Sequence, residues 1–267
     1  MLIPPLELTG LTKVFDTPSG PYIAVKDVNV QVLPGEFVCI LGHSGCGKST
    51  VLSIVAGLDE ATYGGVVIDG TEVRGPGPDR AVVFQAPCLL PWLTARQNVA
   101  LAACRADARH YLELVGVGDV ADEMPAALSL GTQQCVSLAR ALSLQPRILL
   151  LDEPFAQLDS LTRFALQDVL LGACLDPQRI VVMVTHDVDE ALYVADRLIL
   201  MTDGPEATVG DVLRVPFPRP RSRKAVLEHP DYPACYRHVI DFLEHHVQQF
   251  RPSPIDGILH PHLAPST

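Results

Sequence analysis

The sequence predicts an α/β fold, a mostly parallel sheet covered by helices on both faces. Three observations carry this reading. Apolar runs of strand length recur at residues 37–41, 148–151, 180–184 and 198–201 without polar alternation, the pattern of strands buried on both faces. Stretches with helical spacing separate these runs. Polar residues then follow two of the runs directly, Asp152-Glu153 after one and Thr185-His186 after another. Open α/β sheets place their ligands at such strand ends.

The elements follow in order. Residues 6–41 alternate apolar and polar side chains, with turn signals at Pro18-Ser19-Gly20 and Pro34-Gly35, and read as antiparallel strands leading into a glycine-rich loop. Residues 49–56 read as a helix ended by Gly57. Residues 64–70 give a turn, a strand and a turn, and residues 81–84 a short strand ending at Gln85. Residues 91–134 carry helical spacings through Val99, Leu101, Tyr111, Leu112, Leu114 and Val115, broken by Gly116 and Pro125.

After Val215 the composition changes. Pro216-Phe217-Pro218-Arg219-Pro220-Arg221-Ser222-Arg223-Lys224 is proline-rich and basic. It reads as an extended, solvated connector, with contact to anionic lipid as the alternative. Tyr236, Ile240, Leu243, Val247 and Phe250 recur at helical spacing and predict one amphipathic helix. Residues beyond Arg251 read as a frayed end. The predicted division is a main domain over residues 1–215, with a helical subdomain near 91–134, and a C-terminal extension over 216–267.

Composition narrows the function classes. The 267 residues are 48% hydrophobic, ample for one large core, and the net charge of −11 argues against nucleic acid as a partner. No apolar run approaches the roughly 18 residues that span a bilayer. Met1-Leu2-Ile3-Pro4-Pro5 has neither the basic nor the apolar region of a signal peptide. Seven cysteines lie at irregular positions with no C-x-x-C pair, which fits a reduced cytosol better than disulfides or zinc. His245-His246 and His260-Pro261-His262 lack carboxylate or cysteine partners at fixed spacing, so they read as a solvated tail.

Gly42-His43-Ser44-Gly45-Cys46-Gly47-Lys48-Ser49-Thr50 matches the pattern G-x-x-x-x-G-K-[ST], between a strand and a helix N-terminus. Glycines let backbone N–H groups close on phosphates, and the helix dipole favours negative charge. The loop therefore predicts nucleoside triphosphate binding. Lys48 would reach the β- and γ-phosphates and the Ser49 hydroxyl would take Mg²⁺. Asp152 would hold the Mg²⁺ shell, and Glu153 beside it would polarise an attacking water. Cys46 reads as a small tolerated side chain in the loop.

Further motifs make the pattern specific. Leu151-Asp152-Glu153-Pro154, then Gln157-Leu158-Asp159, then Val184-Thr185-His186-Asp187 resemble the ATPase subunit of an ABC transporter. Gln85 after Val82-Val83-Phe84 resembles that family's Q-loop, and Leu128-Ser129-Leu130-Gly131-Thr132 stands where its LSGGQ signature belongs. The resemblance runs over residues 6–215 and implies a P-loop NTPase fold: a RecA-like core, an antiparallel β subdomain and a small helical subdomain. It implies that Phe15 stacks on adenine, and that Lys48 and the loop amides hold the phosphates. Ser49, Gln85 and Asp152 would organise Mg²⁺, Glu153 would serve as base or water-orienting group, and His186 would contact the γ-phosphate. Ser129 and Gly131 would meet a nucleotide bound on a partner, and Asp159 would brace the dimer. Two subunits would sandwich two ATPs.

A narrower similarity, through Pro76-Gly77-Pro78-Asp79-Arg80, Leu90-Pro91-Trp92-Leu93-Thr94, His186-Asp187-Val188-Asp189-Glu190-Ala191 and Val215-Pro216-Phe217-Pro218-Arg219-Pro220-Arg221, is to the importer branch for nitrate, bicarbonate and cyanate, with sulfonate and taurine systems nearby. This implies a membrane permease, a periplasmic or lipid-anchored binding protein, and a site on the cytoplasmic face of the membrane.

The sequence also departs from that family. Leu130 replaces the signature's first glycine, Thr132 its usual Gln or Met, and Cys135 the usual Arg. A leucine where backbone must approach phosphate predicts a weakened signature, unless it points away. The stretch near residues 100–111 is short for the family's helical subdomain. Retention of Lys48, Gln85, Glu153 and His186 then favours a heterodimer over a homodimer, in which this chain's phosphate loop meets an intact signature. The alternative is a poorly hydrolysing, nucleotide-responsive subunit. A soluble ABC protein of DNA repair or translation fits poorly, because there is one phosphate loop and no coiled-coil insertion.

Overall fold

The computed structural model describes residues 5–102, 107–173 and 176–246. Four strands form an antiparallel sheet in the order β2-β1-β4-β5: β1 (Leu6–Thr17), β2 (Gly20–Val32), β4 (Tyr63–Ile68) and β5 (Thr71–Glu72). The central sheet has six strands, β3 (Phe37–Leu41), β6 (Arg80–Val83), β7 (Ile148–Asp152), β8 (Ile180–Thr185), β9 (Arg197–Met201) and β10 (Val209–Arg214), in the order β10-β9-β3-β8-β7-β6. All its neighbours pair in parallel except β10, which runs against β9. The expected parallel core with an antiparallel β subdomain is what the chain forms.

Alternation along the central strands divides the core in two. Val38, Ile40, Leu150, Val182 and Val184 face α1 (Lys48–Ala56) and the antiparallel sheet. Phe37, Cys39, Leu41, Leu149, Leu151, Val181 and Met183 face the other helices. These are α2 (Ala95–Ala100), α3 (Ala108–Leu114), α4 (Leu130–Ser143), α5 (Ser160–Ala173), α6 (Val188–Val194), α7 (Arg223–Leu227) and α8 (Tyr232–His245). Strands covered on both faces can carry apolar residues at every position, which is why the four runs stood out.

Several helices have a local cause. The Thr94 hydroxyl accepts from the Gln97 amide while Gln97 returns a bond to the Thr94 amide, a capping box that starts α2. Asp107 caps α3, Ser129 caps α4 and Asp187 caps α6 through their side-chain oxygens. Gly57 ends α1 as expected, donating its N–H to the Ile54 carbonyl.

The structure refines two expectations about the C-terminal extension. The basic connector lies on the surface, with Pro216, Pro218, Arg219, Pro220, Ser222 and Lys224 exposed, but it is pinned at Phe217 and Arg221. Arg219 and Arg221 both reach Asp196, at 2.5 and 2.9 Å, and the Arg221 side chain is 1% exposed. Phe217 is buried, worth about 2 kcal/mol. The expected amphipathic helix runs over Tyr232–His245 and buries Cys235 and Val239, while Tyr236 is exposed. Val247 and Phe250, and the whole stretch beyond Arg251, lie outside the described residues, as do Cys104, Cys174, His260 and His262. No described helix is long and apolar enough to cross a membrane.

Candidate active site

Parallel register brings the key residues to one edge of the sheet. Leu41 pairs with Thr185, Asp152 with Val184, and Val83 with Leu151. The loop after β3, the carboxylates ending β7 and the His186 turn after β8 therefore share one end. Gln85 follows β6 at the same end and is exposed.

The loop is built around its lysine. Lys48 is buried, and its Nζ donates to the Gly42 and His43 carbonyls at 2.7 and 2.8 Å. Gly47 holds φ 92°, and a Cβ there would lie 2.4 Å from Val25 Cγ1, so only glycine lets β2 and the loop approach this closely. Ser44 and Gly45 are exposed at the mouth, and Thr50 is half-buried on α1. Cys46 is buried beside the lysine, and burial pushes its thiol up. His43 Nε2 donates to the Leu243 carbonyl at 3.0 Å, which ties the phosphate-loop side of the molecule to the last turn of α8.

Each carboxylate meets a side chain from another strand end. The Ser49 hydroxyl donates to Asp152 Oδ1 at 2.9 Å. Burial pushes the Asp152 carboxyl up, partly offset by that bond. Glu153 adopts a left-handed φ of 43°, a strained state for a side chain with a Cβ. Its N–H donates to the Val184 carbonyl at 3.0 Å, which holds it across the sheet end. Glu153 Oε1 and His186 Nδ1 are 3.4 Å apart.

Phe15 pairs across the strands with Tyr22, so the two rings share a face. Both are exposed, and the Lys13 ammonium lies 5.0 Å from the Phe15 ring centroid. A Cβ built on Gly204 would lie 3.3 Å from the Tyr22 hydroxyl and 3.6 Å from the Gly45 carbonyl, which puts Tyr22 at the rim of the loop.

Ser129 and Gly131 are set against α5. A Cβ on Gly131 would lie 2.2 Å from Thr162 Cγ2. The Ser129 hydroxyl accepts from the Thr132 N–H at 3.1 Å and lies 2.8 Å from Thr132 Oγ1. Leu130 is 38% exposed at the first helical position. Asp159 accepts from the Leu161 and Thr162 amides, and the Thr162 hydroxyl, ahead of those amides, holds its carboxyl below the usual range.

Tyr22 and Gln134 escaped the motifs. Tyr22 is visible only through register. Gln134 of α4 is buried and donates to the Phe84 carbonyl at 2.9 Å, and Arg140 donates to the Pro87 and Cys88 carbonyls, so the signature helix holds the segment that carries Gln85. The expected absence of a histidine metal site concerns His245 and His246, whose Nδ1 atoms bond the Asp241 and Phe242 carbonyls of their own helix.

The donor set fits its expected ligands. A hydroxyl and a carboxylate in contact are hard oxygen donors of the type Mg²⁺ takes. Open loop amides at the start of α1, with a buried lysine, suit phosphate.

The model for the ABC transporter family matches residues 25–156. The nitrate import ATP-binding protein NrtD of Synechococcus elongatus is 50% identical over 242 residues, covering 86% of this chain and 88% of NrtD. The bicarbonate transport ATP-binding protein CmpD of Synechocystis is 45% identical, covering 89% and 88%. Nitrate import protein NrtC of Synechococcus elongatus is 48% identical over 90% of this chain but only 38% of its own greater length. Among solved structures, the dimeric post-hydrolysis state of the ATP-binding cassette MJ0796, bound to ADP and Pi, superposes with a TM-score of 0.71 at 33% identity, over 79% of this chain and 99% of that one. The chain therefore belongs to the ABC transporter family, as one of its ATP-binding, ATP-hydrolysing subunits.

Proposed function

We propose that this subunit energises import of a small inorganic anion, nitrate ahead of bicarbonate. The reading is carried by the meeting of Ser49 with Asp152 and of Glu153 with His186 at one sheet edge, on a chain similar over most of its length to nitrate and bicarbonate import ATP-binding proteins. Isotope uptake by cells carrying or lacking the chain separates the cargoes. Loss of nitrate uptake with bicarbonate uptake intact is expected; the converse replaces nitrate by bicarbonate.

The phosphates of ATP lie on the loop amides, and Lys48 exchanges the Gly42 and His43 carbonyls for β- and γ-phosphate oxygens. Phe15 and Tyr22 flank the base. Ser49 and Asp152, with Gln85 at the water shell, would hold Mg²⁺, which supplies charge neutralisation to the phosphate oxygens when bound. Glu153 takes the proton of the attacking water as its oxygen bonds the γ-phosphorus. The bond from that phosphorus to the bridging oxygen breaks, leaving ADP and phosphate. His186 contacts the γ-phosphate and backs the water. Nearly all the catalysis is positioning and charge stabilisation.

The partners proposed are a membrane permease on the inner face of the membrane, an anion-binding protein and a second ATPase. The Ser129 hydroxyl already serves as a helix cap and Leu130 stands exposed beside it, which supports a weak signature completed by a different subunit. Mixing the chain with that second ATPase should raise hydrolysis above the sum of the two alone. Leu130→Gly should raise the rate of the chain alone. A pure homodimer as active as the mixture contradicts the pairing.

A further inference from the structure

The residues on both sides of His186 are pinned. The Thr185 hydroxyl accepts from the Asp187 N–H at 3.1 Å and donates to the Glu190 carboxyl. Asp187 Oδ1 accepts from the Glu190 N–H at 3.0 Å, and its other oxygen lies 3.1 Å from Arg163 of α5. Glu190 is the hub of this turn, at 6% exposure.

Glu190 is held in turn by Gln167 of α5, itself 1% exposed, whose Nε2 donates to Glu190 Oε2 at 3.3 Å. An amide can present either its oxygen or its nitrogen. Arg223 decides which. Its guanidinium has donors only, and it gives one to Gln167 Oε1 at 3.0 Å. That leaves the Gln167 NH₂ pointing at the Glu190 acceptor. Arg223 is fixed by stacking 3.9 Å from the Phe164 ring centroid and 4.1 Å from that of Tyr193. The start of α8 adds a second tie, from the Tyr232 hydroxyl to Asp189. Arg223 and Tyr232 both lie outside residues 25–156, where the family model matches.

We infer that the C-terminal extension positions His186 for hydrolysis through the chain Arg223–Gln167–Glu190, with Gln167 a positioning residue that touches no substrate. This rests on the reading of His186 as a catalytic group. Without Arg223 the Gln167 oxygen loses its donor, the amide is held only at its Glu190 end, and the His186 turn loosens.

The test is a double-mutant cycle on ATP hydrolysis by the full-length chain mixed with its ATPase partner. Gln167→Leu should lower kcat about tenfold, as a small misplacement of a catalytic group does, with KM for ATP nearly unchanged because the phosphate loop is untouched. Placed on His186→Ala, it should cost nothing further. Arg223→Ala, at the partly exposed end of the chain, should reproduce both results and serves if Gln167→Leu does not fold. An unchanged kcat in Gln167→Leu, or the same loss in the His186→Ala background, overturns the relay alone. An unchanged kcat in His186→Ala overturns the catalytic reading and the relay with it.

Discussion

Glu153 Oε1 and His186 Nδ1 stand 3.4 Å apart although they end different strands. A left-handed backbone at Glu153 and its N–H bond to the Val184 carbonyl bring them together. His186→Ala should lower kcat about a hundredfold, the scale of a lost positioned polar or proton-handling group. ATP affinity, read by fluorescent nucleotide titration, should change little.

The signature helix is packed tightly enough to be probed by one methyl group. Gly131→Ala would drive a Cβ to 2.2 Å from Thr162 Cγ2, an overpacking that costs about 1–3 kcal/mol and shifts Ser129 with it. Thr162→Ser removes that methyl. Melting temperature and hydrolysis should both fall in Gly131→Ala and recover in the double variant. A double variant no better than Gly131→Ala would contradict the contact.

Glu190 makes stability depend on pH. Burial lifts its carboxyl to about 7 from an ordinary value of 4.5, against the lowering effects of Thr185, Arg163 and Gln167; Asp187 adds to the rise, and the Cys39 thiol faces the same carboxyl. Folding thus favours the protonated form. The stability this gives is full below the ordinary value and is lost as pH rises through about 7. Glu190→Gln stays neutral throughout. Its melting temperature relative to the native chain should therefore rise from pH 5 to pH 8, by the equivalent of up to about 3 kcal/mol. A pH-independent difference would contradict the burial of a titrating carboxyl.

How far the sequence could be read follows from how each feature is stabilised. Central strands covered on both faces appear as unbroken apolar runs, and their ends carry the ligands, so Asp152, Glu153 and His186 were legible together. β10 was not, because an edge strand with Gly210 and Asp211 in it alternates between half-buried and exposed residues. The connector was legible in part, for a different reason. Arg219, Arg221 and Arg223 look solvated until Asp196, Phe164 and Tyr193 are placed against them, and those partners are remote or lie on other elements. Tyr22 needed the register with Phe15, which no local pattern supplies.

The central claim is that hydrolysis runs at this chain's own phosphate loop with Glu153 handling the water. Its most direct test is Glu153→Gln in this chain alone, mixed with the unaltered second ATPase. ATP binding should persist and the gain in hydrolysis on mixing should disappear. A mixture that hydrolyses ATP as fast with Glu153→Gln as without it would contradict the account.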